Sequence, residues 1–173
     1  MRRREDALLV DGYNMIGAWP ELARLKEKSL EEARDRLLEM LADYQGFSGM
    51  QIVVVFDAHQ VPGVGSSFKQ YRVSVVFTKE KETADACIER LASEMAMRSR
   101  NLYVATSDQV EQRVAFGKGA LRISARELLI DIGQNRKEIE KVLERPKNKR
   151  NELDNNLSLD VRMKLERWRR GQN

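Results

Sequence analysis

The sequence predicts an α/β fold with a mainly parallel central sheet and helices on both faces. Three observations predict it. Val53-Val54-Val55-Phe56 is a continuous apolar run rich in β-branched residues, suited to a strand covered on both faces. Two capping boxes, Ser29-Leu30-Glu31-Glu32 and Ser124-Ala125-Arg126-Glu127, each pair an N-cap serine with a glutamate three residues on. Strand-like and helix-like patterns alternate along the chain, as parallel strands with right-handed crossovers require.

In chain order, buried strands are expected at 7–10, 51–56, 72–77 and 102–106, with a short fifth at 120–124. Trp19 and Pro20 read as a loop and staple after the first strand. Behind Ser29, Leu30, Ala33, Leu37, Leu41 and Tyr44 repeat at helical spacing, and Gly46 reads as the stop. A second helix begins near Thr83 and uses Ile88, Leu91, Ala92 and Met95. A third follows Asp108, with Val110 and Val114 inward and Gly117 at its end. A fourth opens at Ser124 and reaches Glu144, before Pro146. The polar stretch 145–156 reads as a linker. Leu157, Val161, Leu165 and Trp168 then give one side of a final basic helix, with Trp168 read as core. The expected organisation is one domain over 1–144 and a basic linker and helix over 145–173, packed on it.

The chain has 173 residues, 31 of them basic and 27 acidic. The net charge of +4 is unevenly spread. Residues 134–173 hold 12 basic and 7 acidic side chains, which leaves 19 and 20 for the rest. A near-neutral body of net −1 thus carries a C-terminal segment of net +5.

Several classes drop out. No apolar run approaches the roughly 18 residues that span a bilayer. The apolar run at 7–10 is too short for a signal-peptide core. A single cysteine, Cys87, excludes a disulfide framework and a cysteine-rich zinc site, and reads as a small buried apolar residue. A single histidine, His59, excludes a multi-histidine centre and reads as structural or surface. The expected compartment is a reducing cytoplasm, with no membrane partner.

Ligands of open α/β sheets bind beyond the carboxyl ends of the strands. There the first strand delivers Asp11, the second Asp57 and the fourth Asp108. Asp85 lies three residues before Ile88 and seven before Ala92, so it shares that helix's inward face. Each alone has a plainer role as a turn or cap residue. Four together would repel one another and lose hydration, a cost that a cation offsets. An oxygen-rich donor set without histidine suits Mg²⁺ or Mn²⁺. Such ions activate water and assist in-line phosphoryl displacement. Acids at this edge and a basic appendage therefore suggest phosphodiester hydrolysis.

Other α/β chemistries fit less well. No Gly-x-Gly-x-x-Gly follows the first strand, so no organic cofactor is expected. A P-loop is absent. A receiver domain would want an acidic pair at the first strand end, and an aspartyl phosphatase would want Asp-x-Asp where Tyr13 stands.

Leu8-Leu9-Val10-Asp11-Gly12-Tyr13-Asn14-Met15-Ile16-Gly17 resembles the opening motif of NYN-domain proteins of the YacP type. Val55-Phe56-Asp57-Ala58-His59, the run from Phe77 to Asp85, and Val104-Ala105-Thr106-Ser107-Asp108 follow in that family's order. So do Gly117-x-Gly119-Ala120, Ser124-Ala125-Arg126-Glu127-Leu128 and the closing Trp168-Arg169-Arg170-Gly171. The resemblance covers essentially the whole chain. It implies a PIN-like nuclease fold and a metal-dependent endoribonuclease that cleaves mRNA in association with ribosomes. Carried over, it makes Asp11 and Asp85 the foremost metal-binding and catalytic residues. Asp108 would complete the cluster, Asp57 would be a further or outer member, and Asn14 would orient a metal-bound water or a phosphate. Thr106 and Ser107 would hydrogen-bond carboxylates or phosphate.

The contacts to RNA or ribosome are expected from basic residues. Lys69, Arg72, Lys79 and Lys81 lie near the candidate acids in sequence. Lys147, Lys149, Arg150, Arg167, Arg169 and Arg170 lie in the C-terminal segment. The loop 60–70 is either a substrate or ribosome contact or a solvent loop. The alternative function is a non-catalytic RNA- or ribosome-binding module.

Overall fold

The computed structural model describes residues 3–58, 67–70, 72–106 and 119–144. The chain divides into two compact units, Met1–Asn135 and Arg136–Asn173. The sheet and the candidate site belong to the first.

Six strands form one sheet: β1 (Ala7–Asp11), β2 (Gln51–Phe56), β3 (Ser67–Gln70), β4 (Val73–Phe77), β5 (Leu102–Thr106) and β6 (Ala120–Ser124). Their order is β3-β4-β2-β1-β5-β6. Every pairing is parallel except that of edge strand β3 with β4. The helices are α1 (Gly12–Ala18), α2 (Pro20–Lys28), α3 (Leu30–Ser48), α4 (Ala84–Arg98) and α5 (Ala125–Glu144).

Strand alternation builds two cores. Leu8, Val10, Ile52, Val54 and Phe56 pack with residues of α1, α2, α3 and the start of α5. Ala7, Leu9, Val53, Val55 and Val104 face the other way, onto Cys87, Ile88 and Ala92 of α4. The central strands β1 and β2 are buried on both faces, as the unbroken run at 53–56 predicts for β2. Cys87 is buried, as expected. No helix among the described residues is long and apolar enough to cross a membrane.

Among the described residues the strand and helix expectations hold, apart from the unexpected helix α1 and four further differences. First, Pro20 begins a helix. Trp19 ends α1 and caps α2, Pro20 takes the first helical position, where its missing N–H costs nothing, and Leu22 is buried behind it. The staple is real, for the buried Trp19 indole donates from Nε1 to the Ala125 carbonyl at 2.8 Å. Second, Gly46 lies inside α3. The helix ends at Gly49, whose φ of +71° is the left-handed conformation that a C-terminal cap uses. Third, residues 67–70 of the expected loop form β3. Fourth, the strand expected from Arg72 starts at Val73, and Arg72 has a φ of +71° in the turn between β3 and β4. Both capping serines act as expected. Ser29 accepts from the Glu32 N–H at 3.2 Å, while Ser124 and Glu127 cap one another at 3.1 and 3.4 Å.

His59, the segment 60–66, Ser107, Asp108, the helix expected after Asp108, and everything beyond Glu144 lie outside the described residues.

Candidate acidic site at the carboxyl edge of the sheet

The order in which strands are added reverses between β1 and β5. Strands β2 and β4 lie on one side of β1 and β5 and β6 on the other, so the carboxyl end of β1 is the switch point of the fold. Asp11 is the last residue of β1 and the N-cap of α1, with no residue between strand and helix. It is only 5% exposed. Asn14, one turn into α1, donates from its backbone N–H to Asp11 Oδ1 at 3.4 Å and from Nδ2 to Oδ2 at 2.6 Å. The same Nδ2 reaches Thr106 Oγ1 at 3.3 Å, at the buried end of β5.

Gly12 is demanded by packing. A Cβ built there would lie 2.6 Å from Phe56 Cδ1. That ring is buried, 5.1 Å from Tyr13 and 5.7 Å from Phe77 between centroids, so it cannot swing aside. The tight passage from β1 to α1 thus presses backbone against an aromatic floor.

Asp57 follows β2 and is half-buried. Asp85 lies in the first turn of α4, behind the Thr83 cap, whose Oγ1 accepts from the Ala86 N–H at 3.1 Å. Asp85 is exposed, although its spacing places it on the face of Ile88 and Ala92. Those two residues pack in the core against the strands, whereas Asp85, in the first turn, reaches solvent.

Electrostatics ties the three acids together. Burial lifts the Asp11 carboxyl from 3.8 to about 6. The Asn14 hydrogen bonds oppose that shift, and repulsion from Asp85 and, less strongly, Asp57 adds to it. The acid that is least hydrated therefore also feels its neighbours' charge. Among the described residues no three acid, cysteine or histidine side chains form a ready metal cage.

The basic candidates separate. Lys79 and Lys81 are exposed between β4 and α4, at the same edge as the acids. Arg72 precedes β4 and so lies at the opposite edge, where it lines a groove with Glu5, Gln51 and Ser74. Lys69 pairs with Ser74 and is likewise placed toward that edge by register. Strand length, roughly 17 Å at about 3.4 Å per residue, keeps Arg72 from serving a phosphate at Asp11. Its expected grouping with Lys79 and Lys81 is therefore corrected.

The sequence did not single out Thr78 or Glu82. Thr78 is fully buried, and its Oγ1 accepts from the Ala58 N–H at 2.9 Å, beside Asp57. Glu82 binds Arg90 Nε at 3.1 Å and accepts from the Lys79 N–H at 3.3 Å. Burial pushes the Glu82 carboxyl up, but the Arg90 hydrogen bond, the Lys79 N–H and the nearby positive charges more than offset it. The available signal was position, since both lie in the run joining a strand end to Asp85.

Convergent aspartates at the switch point of a parallel sheet define a nuclease-like domain. The chain belongs to the YacP-like NYN domain family, whose model matches residues 8–170. It is 48% identical to the uncharacterized protein YacP of Bacillus subtilis (strain 168) over 166 residues, 96% of this chain and 98% of that protein. The crystal structure of Rae1 (YacP) from Bacillus subtilis superposes with a TM-score of 0.72 at 48% identity, covering 96% of this chain and 95% of the other. A tryptophan-to-leucine variant of Rae1 (YacP) matches with a TM-score of 0.69 at 51% identity, over 79% of each chain. The PIN-like, NYN-type α/β fold that the motifs imply is the fold of the chain.

Proposed function

We propose that this protein is a divalent-metal-dependent endoribonuclease that cleaves mRNA in association with the translating ribosome. The observation that carries the proposal is Asp11. It is a buried carboxylate at the switch point, repelled by Asp85 and Asp57, and the interactions that stabilise its charge are two neutral donors of Asn14, the backbone N–H and the side-chain amide. A hard dication fits that donor chemistry, because it would remove both the repulsion and the dehydration cost.

Asp11 and Asp85 would hold Mg²⁺ or Mn²⁺, with Asp108 as the third carboxylate by its place after β5. When bound, the ion would supply a more acidic water and offset charge on the scissile phosphate. Asn14 keeps Asp11 in one rotamer and ties it to Thr106, so the carboxylate needs no rearrangement. Asp57 adds negative potential beside it. Lys79 and Lys81 are exposed cations between β4 and α4, at the acidic edge, and they would hold the RNA backbone near the cut.

The near-neutral body grips a polyanion poorly by itself. The net +5 of residues 134–173 would supply phosphate affinity, on the mRNA or on ribosomal RNA. Lys147, Lys149, Arg150, Arg167, Arg169 and Arg170 are its cationic members.

The test compares one mRNA free in solution and on translating ribosomes, with Mg²⁺ present and under single-turnover conditions. Wild type should cut the ribosome-bound message and Asp85→Asn should not, while both bind it. Undiminished cleavage by Asp85→Asn would remove the assignment and leave a binding module.

A further inference from the structure

We propose that Thr78 is a positioning residue, which holds Asp57 at the acidic edge through the backbone on both sides of it. The inference rests on the nuclease reading above.

Thr78 is the first residue after β4 and is 0% exposed. Its N–H donates to the Phe56 carbonyl at 3.0 Å, extending the β2–β4 ladder by one rung. Its Oγ1 accepts from the Ala58 N–H at 2.9 Å. Phe56 and Ala58 are the two neighbours of Asp57. One buried threonine therefore pins the chain immediately before and after that carboxylate. A hydroxyl this deep is costly unless it is bonded, so the Ala58 bond persists in the folded chain.

The same segment reaches the other acid. Glu82 folds back on Lys79 through two hydrogen bonds, 3.0 Å from its N–H to the Lys79 carbonyl and 3.3 Å from the Lys79 N–H to its carboxylate. Arg90 of α4 holds Glu82, and Thr83 caps α4 two residues before Asp85. Residues 78–83 thus form a short frame with Asp57 fixed at one end and Asp85 at the other. Losing the Thr78 hydroxyl would loosen the backbone at Ala58, on the Asp57 side of this frame, and leave the Asp85 side intact.

The test uses the full chain with Thr78→Val, which keeps the shape and loses the acceptor, and Thr78→Ser, which keeps the acceptor. Removing a residue that orients a site carboxylate typically costs about 10-fold in activity. Thr78→Val should lower kcat by about 10-fold with little change in KM, and Thr78→Ser should restore it. In an Asp57→Asn background, Thr78→Val should have no further effect on kcat. Ala58 amide exchange should accelerate in Thr78→Val and recover in Thr78→Ser, with Val54 unchanged. Full activity of Thr78→Val, failure of serine to rescue, or an equal loss in the Asp57→Asn background would each overturn the proposal. Asp85→Asn is assayed alongside. If it still cleaves, the nuclease reading falls and takes this inference with it. If it is inactive while Thr78→Val is not, only this inference falls.

Discussion

Asn14 Nδ2 stands 2.6 Å from Asp11 Oδ2 and 3.3 Å from Thr106 Oγ1, so a single amide joins the ends of the two central strands β1 and β5. This contact links strand order to chemistry. The strand order reverses between β1 and β5, and the amide spans that junction while facing Asp11, the most buried acid among the described residues of the site.

Asn14→Ala should therefore loosen the Asp11 carboxylate and separate it from Thr106. We expect cleavage to fall by about 10-fold and stability to fall by about 1.5–3 kcal/mol, the range for a hydrogen bond to a charged group. Single-turnover rates and urea unfolding measure the two effects. A stable variant with full activity would show that the amide is dispensable.

Asp11 should give stability a distinctive pH dependence. Its folded value of about 6 lies above the ordinary 3.8, so the folded chain holds this proton more tightly. As pH rises from 3.8 toward about 6 the unfolded chain ionises first, and Asp11 progressively costs stability. Above that window the cost is complete, about 3 kcal/mol for a displacement of this size. Asp11→Asn should thus be more stable than wild type at about pH 8 and lose its advantage near about pH 4. Calorimetry at the two pH values checks this, and an equal difference at both would contradict it.

A divalent cation should reverse the same cost. If the ion binds at Asp11 as proposed, and only in the folded arrangement, Mn²⁺ should raise the Tm of wild type above pH 6 and leave Asp11→Asn unmoved. An equal rise in both proteins would place the ion elsewhere.

Gly12→Ala should strain the passage from β1 to α1, because the new methyl meets the Phe56 ring. The expected loss is about 1–3 kcal/mol, the usual range for overpacking a filled core. Phe56→Leu in the same chain should recover part of it. A Gly12→Ala protein with wild-type unfolding would show that the ring can yield.

Much of the fold was legible because period and capping agreed. The unbroken apolar run at 53–56 could serve only a strand covered on both faces, and Ser29, Thr83 and Ser124 all cap helices where their spacing placed them. Misreadings came from residues with two meanings. Pro20 stops a helix in most positions but starts one at its first turn, and Gly46 is tolerated inside a long helix when a better terminator follows. Strand β3 lacks an apolar rhythm, and its turn uses Arg72 in a left-handed conformation where glycine or asparagine would have signalled a hairpin. At the site, strand ends pointed to Asp11 and Asp57, and helical spacing pointed to Asp85. Thr78 stayed hidden because a threonine after a strand carries no spacing signal. Its importance lies in a hydrogen bond across 20 residues. Arg72 misled because nearness along the chain says nothing about which end of a strand a residue occupies.

The direct passage from β1 into α1 has a thermodynamic consequence. Asp11 belongs at once to a central strand and to a helix, so its backbone has no hinge of its own. The entropy lost in aiming this carboxylate is spent when the domain folds, before any cation or phosphate arrives. On the proposed reading, selectivity at this edge would then come from what reaches a carboxylate already in place, with no rearrangement of the Asp11 backbone.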